Sequence, residues 1–409
     1  MGVLGGGQLG RMFALAARRL GYGIAVWSDA DDAPALAAAD LPLAAAYDDP
    51  AALAAFTDAV AVATVEFENL PAATLAAIEE RVPLRPSAAV VATTQGRSRE
   101  KAALTALGVP LAPWRPLGPC MGHAAAAEAL DAACAEVGRP AVLKTAGYGY
   151  DGKGQVALPR HGPWPQAALA LAAQEACVVE AFVDLAGELS VIVARSPAGE
   201  VRAFPPFENH HARHVLDLSL VPARVDAATT ARAEALGRHV VEGLGVEGLA
   251  CVELFLTRAG ELWVNEVAPR PHNSGHVTIE ACRVDQFEQQ LRAVCGLPLG
   301  DPRLLRPAAM ANLMGELWGA GTPDWVAALA VDGVRLHLYG KRAARDGRKM
   351  GHLSAVAGDA DEAAALVWRA RFAAGRGVPD AAGPPPPPSA APREGVRRGP
   401  HAEPALPDA

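Results

Sequence analysis

Lysine is the residue that this chain of 409 nearly does without. Lys101, Lys144, Lys153, Lys341 and Lys349 are the whole set, although lysine and arginine together number 37. The net charge is −8, and no basic tract or aromatic–basic interleaving occurs, which argues against nucleic acid as a partner. No apolar run reaches membrane-spanning length, so no membrane partner is expected. The cysteines (Cys120, Cys134, Cys177, Cys251, Cys282 and Cys295) lack C-x-x-C spacing and read as buried thiols in a reducing compartment. No leader-like segment precedes the first strand, and the expected location is the cytoplasm. Apolar residues make up 51%, and at this length the chain should fold as two or three domains.

Where lysine is so rare, the survivors mark places that want a compact ammonium. Lys144 and Lys153 bracket a glycine-rich stretch running from Lys144 to Gln155. It follows the apolar run Ala141–Leu143 and precedes Val156–Leu158. A glycine turn between two strands lets backbone N–H groups close over a polyanion. The bland alternative is a hairpin whose lysines only solubilise it.

Residues 2–10 fit G-x-G-x-x-G at Gly5, Gly7 and Gly10. A helix from Arg11 to Leu20 and a strand from Ile24 to Trp27, ending at Asp29, complete a dinucleotide-like unit. Alone it supports an NAD reading. A glycine turn at a helix N-terminus says only that backbone or an anion approaches closely. Alternation continues to a strand, Val60 to Glu66. Glu66, Glu68 and Asn69 then sit at the carboxyl edge where open parallel sheets bind ligands. They serve equally as acids before a helix N-terminus at Pro71.

A basic helix over 95–108 carries Arg97, Arg99 and Lys101. Strands end at Glu180 and run from Glu188 to Val193. His210 and His211 invite a metal reading, but adjacent strand residues face opposite ways. Residues 226–244 form an amphipathic helix. Residues 251–267 read as a hairpin turning at Arg258–Gly260. A turn centred on Ala259–Gly260 sets Glu253 opposite Glu266. Opposed like charges destabilise a strand pair; a shared divalent cation reverses that, and magnesium takes one or two carboxylates plus phosphate oxygens. Two solvated strand acids are the alternative. The loop 268–276 packs Arg270, His272, Asn273, Ser274 and His276 together before a helix from Thr278 to Cys295, and loops so dense in donors usually bind something. A strand over 309–318, a strand ending at Lys341, and a cluster of Arg342, Arg345, Arg348 and Lys349 follow. That basic patch in an acidic chain suits an anion. A helix from Asp361 to Ala373 closes the fold, and the Pro-rich tail beyond 377 is expected to be disordered.

Taken in order, G-G-G-Q-L-G-R-M (5–12), E-F-E-N (66–69), G-Y-D-G-K-G-Q (149–155), P-P-x-E-N (205–209), N-E-x-A-P-R-P-H-N-S-G-H (265–276) and G-R-K-M-G-H (347–352) resemble the ATP-grasp superfamily. Within it they resemble the 5-(carboxyamino)imidazole ribonucleotide synthases of purine biosynthesis, over residues 2–373. The resemblance implies an α/β (α+β) ATP-grasp fold with an N-terminal Rossmann-like parallel-sheet domain. The expected division is 1–95, a lid at 96–180, a large domain at 181–376, and the tail 377–409. It displaces NAD, because the first glycine turn then belongs to the substrate side. It implies that Arg97, Lys144, Gly149, Tyr150, Asp151, Gly152, Lys153, Gly154, Gln155, Glu180, Ala181, Phe182, Val183, Glu188, His211, Asn265 and Glu266 surround ATP. Glu253 and Glu266 hold Mg2+. Tyr150, His272, Asn273, Ser274, Lys341, Arg348 and Lys349 take aminoimidazole ribonucleotide and bicarbonate, and Lys153, Asp151 and Arg270 are the catalytic candidates. A homodimer is implied, with a mutase acting next. Gly96, His214 and Asp346 depart from the family pattern, which has aspartate, glycine and proline there. Another ATP-grasp ligase, such as a formate-dependent glycinamide ribonucleotide transformylase or a biotin carboxylase, is the nearest competitor. An inactive nucleotide-binding scaffold is a further one.

Overall fold

The computed structural model describes residues 1–147, 154–319 and 321–375. Among these residues the strands form three sheets. The first is parallel, in the order β3 (Leu41–Ala44), β2 (Ala25–Ser28), β1 (Gly2–Leu4), β4 (Ala63–Val65). Its helix Gln8–Arg19 buries Leu9, Met12, Phe13, Ala16 and Ala17, one face at the helical period, against the sheet.

The second sheet is antiparallel, in the order β5 (Trp114–Leu117), β8 (Cys177–Ala181), β6 (Ala141–Thr145), β7 (Gln155–Leu158). The glycine-rich stretch joins β6 to β7, as its flanking apolar runs predict.

The third sheet has nine strands and is antiparallel. Its main order is β14 (Leu262–Ala268), β13 (Gly248–Thr257), β9 (Leu185–Arg195), β11 (Phe207–Ala212), β12 (Val215–Val221), β15 (Ala308–Met314), β17 (Lys349–Val356), β16 (Val334–Leu338), and β10 (Val201–Ala203) pairs with β9. The helix Ala227–Gly243, capped by Asp226 on the Thr229 N–H at 2.6 Å, covers one face. Gly237 lets it come close: a Cβ there would lie 3.0 Å from Val191. Val191, Val193, Val252 and Leu254 fill that core. The other face is apolar at one end, with Ile192, Cys251 and Met310, and polar at the other.

Several expected elements differ. The helix expected over 278–295 is broken: Thr278–Ala281 stops, and Asp285 caps a new helix, Gln286–Val294, through the N–H groups of Phe287 and Glu288 at 2.9 Å each. The strand expected over 309–318 ends at Met314 and becomes a 3₁₀ turn, Gly315–Trp318. Cys120 and Cys295 are only half-buried, unlike the other four thiols.

Candidate active site

The polar half of the large sheet follows from strand register. Glu253 lies directly opposite Glu266 on one side and Ser190 on the other. Asn209 lies opposite Glu188 and Ser219. Opposite residues share a face, so carboxylates, hydroxyls and an amide line one side of five adjacent strands.

The Glu253–Glu266 pairing arises differently from the sequence expectation. The turn closes as Thr257 N–H to Glu261 O and Gly260 N–H to Thr257 O, which centres the hairpin on Ala259. That register alone would misalign the acids. A bulge between Glu253 and Leu254, with Asn265 as the extra residue on the facing strand, restores them.

The loop after β14 folds back over this face. Arg270 reaches Glu68 at the carboxyl edge of the parallel sheet, with Nη2 donating to Oε1 at 3.1 Å. Burial opposes ionisation of Glu68, but the Arg270 charge overrides it and lowers the carboxyl. His272 Nε2 sits 2.9 Å from Glu253 Oε1. Burial would raise Glu253, yet the His272 hydrogen bond and charge hold it at about 2. Burial likewise weighs against an imidazolium, but Cys251 and Glu253 raise His272 to about 10. Both side-chain amide atoms of Asn273 are buried without a partner among the described residues.

Glu266 is the more open acid, with its side chain 40% exposed, and it pairs with Arg97 at 3.2 Å. Behind it lies Glu100, which accepts from the Val267 N–H at 2.7 Å. Burial and the Glu266 charge push Glu100 up to about 8. Glu180 is enclosed by Lys144 at 3.1 Å, Lys101 at 3.3 Å and Arg97 at 3.8 Å. Burial opposes its charge, but these cations hold it at about 2. Burial lowers Lys144 in turn.

The remaining candidates fall around this centre. His211 pairs with Glu188 at 3.2 Å. His210 turns the other way, to Glu208 at 2.8 Å, so the two histidines do face apart. Lys101 Nζ donates to the Asn265 carbonyl at 3.3 Å, and the Asn265 side-chain oxygen is buried without a partner among the described residues. The N–H groups of Ala181 and Phe182 already donate to the Pro113 and Pro140 carbonyls, at 2.8 and 3.1 Å, and Val183 comes next. Lys341 donates to the Lys349 carbonyl at 2.7 Å, and both lysines act on buried His276. Arg348 donates to Ala343 within its own loop, at 2.8 Å. Gly154 precedes β7 at φ +71°, and Gln155 approaches His214 Nδ1 at 3.3 Å. Gly149, Tyr150, Asp151, Gly152 and Lys153 lie outside the described residues.

The first glycine turn holds a protein carboxylate. Glu66 accepts from the Gly7 N–H and, at 2.9 Å, from the Gly10 N–H. A Cβ at Gly7 would lie 2.6 Å from that carboxylate. The position where a dinucleotide phosphate would sit at the helix N-terminus is therefore filled. Glu66 and Glu68 resolve into a helix cap and an Arg270 partner.

Sequence reasoning singled out neither Glu100 nor Lys101 as a site residue. Lys101 had a signal, being one of five lysines in the chain; Glu100 had none.

A four-stranded antiparallel sheet, a large antiparallel sheet with opposed acids, and a parallel N-terminal sheet define an ATP-grasp ligase. Residues 102–287 match the ATP-grasp domain, residues 1–95 the ribonucleotide synthetase preATP-grasp domain, and residues 308–366 the phosphoribosylaminoimidazole carboxylase C-terminal domain. The N5-carboxyaminoimidazole ribonucleotide synthase of Bacillus subtilis (strain 168) is 40% identical over 362 residues, covering 88% of this chain and 92% of the relative. The Staphylococcus aureus N5-carboxyaminoimidazole synthetase crystallised with ADP superposes with a TM-score of 0.82 at 33% identity, covering 90% of this chain and 96% of that one. The Aspergillus clavatus synthase in complex with ADP and 5-aminoimidazole ribonucleotide gives 0.81 at 30% identity, covering 92% and 98%. The chain belongs to the N5-carboxyaminoimidazole ribonucleotide synthase family.

Proposed function

We propose that the polar half of the large sheet and the loop Arg270–Ser274 together form the centre at which this ligase works. The reaction is the ATP-dependent carboxylation of 5-aminoimidazole ribonucleotide to N5-carboxyaminoimidazole ribonucleotide in purine biosynthesis. The observation that carries the assignment is the opposed pair Glu253–Glu266 with His272 and Arg270 folded over it.

Bicarbonate is a poor electrophile, so ATP must activate it as carboxyphosphate before the substrate amine attacks. Several anions then meet in one place, and fixed cations lower the barrier. In our reading Arg97, Lys144 and Lys153 face the nucleotide phosphates, and Glu188, His211 and Asn265 its ribose side. Ala181, Phe182 and Val183 border adenine. Glu180 acts indirectly, by holding Lys144 and Arg97. Arg270, His272 and Asn273 take bicarbonate and the aminoimidazole, Ser274 backs His272 from a fully buried position, and Lys341, Arg348 and Lys349 take the ribonucleotide phosphate. The amide of Asn273, buried without a partner among the described residues, suits a ligand with both donors and acceptors.

Glu253 and Glu266 fit Mg2+: both are hard oxygen donors, they lie directly opposite each other, and Glu266 is open to solvent on its 40% exposed side chain. When bound, Mg2+ would neutralise phosphate oxygens of the nucleotide. The flap 149–155 would exclude water from carboxyphosphate. Asp151 or the departing phosphate accepts the amine proton.

We further propose a division at 1–95, 96–180 and 181–376, a homodimer, a cytoplasmic location, and a mutase as the next enzyme. The test of the activity is ADP release by the purified protein with MgATP. Stimulation that requires both the ribonucleotide and bicarbonate, with an acid-labile carbamate as product, is expected. ADP release that ignores the ribonucleotide but responds to another acceptor would assign a different ATP-grasp substrate.

A further inference from the structure

We propose that Ser190, Asn209 and Ser219 are positioning residues: through Ser274 they hold the imidazole of His272 against Glu253. The contacts form one unbroken chain. Ser219 Oγ donates to Asn209 Oδ1 at 2.8 Å. Asn209 Nδ2 donates to Ser190 Oγ at 2.8 Å. Ser190 Oγ and Ser274 Oγ are 2.9 Å apart. Ser274 Oγ lies 2.8 Å from His272 Nδ1, and His272 Nε2 meets Glu253 at 2.9 Å. The chain draws on β12, β11, β9, the loop after β14, and β13.

Stability does not explain these groups. Ser190, Ser219 and Ser274 have no exposure, and Asn209 has 6%. They adjoin Ile192, Cys251 and Met310 on the same face. Replacing a set of buried hydrogen-bonding partners by apolar groups of like shape is often nearly neutral, whereas leaving one unsatisfied is costly. A fully connected polar chain at the end of a dry core therefore points to specificity of arrangement.

The chain is not a proton path. Its far end, Ser219, is sealed in the sheet between β11 and β15. What it does is fix a ring. A hydroxyl both donates and accepts, so Ser274 holds Nδ1 whether the imidazole is neutral or charged. With Nδ1 anchored, Nε2 has one direction, toward Glu253. Partners behind a functional histidine commonly set its orientation in this way. The chain also gives a role to Asn209, the conspicuous residue of P-P-x-E-N, which the proposed chemistry leaves unused.

This inference rests on the reading of His272 as a group that faces the reactants. The test is steady-state kinetics of Ser190→Ala and Ser219→Ala, alone and in a His272→Gln background, with the imidazole 15N resonances of His272 read in the resting protein. Ser190→Ala should lower kcat about tenfold or more, leave the KM for ATP within about twofold, and shift the His272 resonances. Ser219→Ala, further along the chain, should do the same more weakly. In the His272→Gln background Ser190→Ala should add nothing, because it acts through the missing ring. Wild-type kcat with unmoved resonances, or an undiminished loss in the His272→Gln background, overturns the proposal. If His272→Gln itself keeps wild-type kcat, the site reading fails, and the resonances still judge the chain. Should Ser190→Ala not fold, Ser219→Ala carries the same test.

Discussion

Two groups of acids lie on either side of Arg97, and they are built to opposite ends. Glu180 is closed: three cations surround it, and its side chain is only 3% exposed. Glu253 and Glu266 are brought face to face by a bulge, and among the described residues each has a single ion-pair partner, His272 or Arg97. The first arrangement neutralises charge within the protein. The second concentrates like charge and leaves it to be shared. Residue type alone does not separate these two arrangements; the number of fixed partners among the described residues does.

The comparison breaks most sharply by substitution. Glu266→Gln and Glu253→Gln should lower ribonucleotide-dependent kcat by at least about 100-fold while leaving urea stability almost unchanged for the exposed Glu266. Near-normal turnover at ordinary magnesium would sink the metal assignment. Glu180→Gln should do the reverse in kind: it strands buried Lys101, and loss of one partner of a buried pair costs about 3–5 kcal/mol. A urea midpoint equal to wild type would show that Glu180 is not the closed group described.

Acid should act on the same groups. Glu180, Glu208 and Glu253 are each held at about 2, below an ordinary 4.5. A depressed folded-state value gives stability that is complete above pH 4.5 and is lost as pH falls toward 2. Urea midpoints across that range should fall, and Arg224→Ala, which releases Glu208, should flatten the slope.

The smallest effects test the departures from family pattern. Arg213 and His214 form a two-residue turn at φ +50° and +64°, where L-residues are strained. Arg213→Asn with His214→Gly should stabilise the fold by about 1 kcal/mol, despite losing the contacts to Glu316 and Gln155; a lower melting temperature would show that those contacts outweigh the strain. Gly96 is an extended N-cap without a capping side chain. Gly96→Asp should add a few tenths of a kcal/mol, provided the mobile end of Arg99, 2.7 Å from a Cβ there, moves aside.

Much of the fold was legible because its signals are local. Apolar runs beside the glycine stretch specify β6 and β7, and the alternation in 251–267 specifies the hairpin. The Glu253–Glu266 pairing was also legible, though by a compensation: the turn sits half a residue from the expected centre, and the bulge at Asn265 cancels the error. What stayed hidden is non-local. Glu66 fills its own glycine turn from a strand 56 residues beyond Gly10, so a motif that looks like a phosphate site is satisfied internally. The helix break before Asp285 was obscured because Thr278 to Cys295 is otherwise helix-compatible. The Ser219–Asn209–Ser190–Ser274 chain draws on four separate segments, and no spacing in the sequence announces it. The flap residues Gly149 to Lys153 and the tail from 377 lie outside the described residues.

The most direct test is a magnesium titration of ribonucleotide-dependent ADP release in wild type, Glu253→Gln, Glu266→Gln and Glu180→Gln. The first two variants should need far more magnesium or never saturate. Glu180→Gln, assayed at a temperature where it stays folded, should keep the wild-type magnesium midpoint. A magnesium midpoint displaced by Glu180→Gln and untouched by the two opposed acids would contradict the metal assignment.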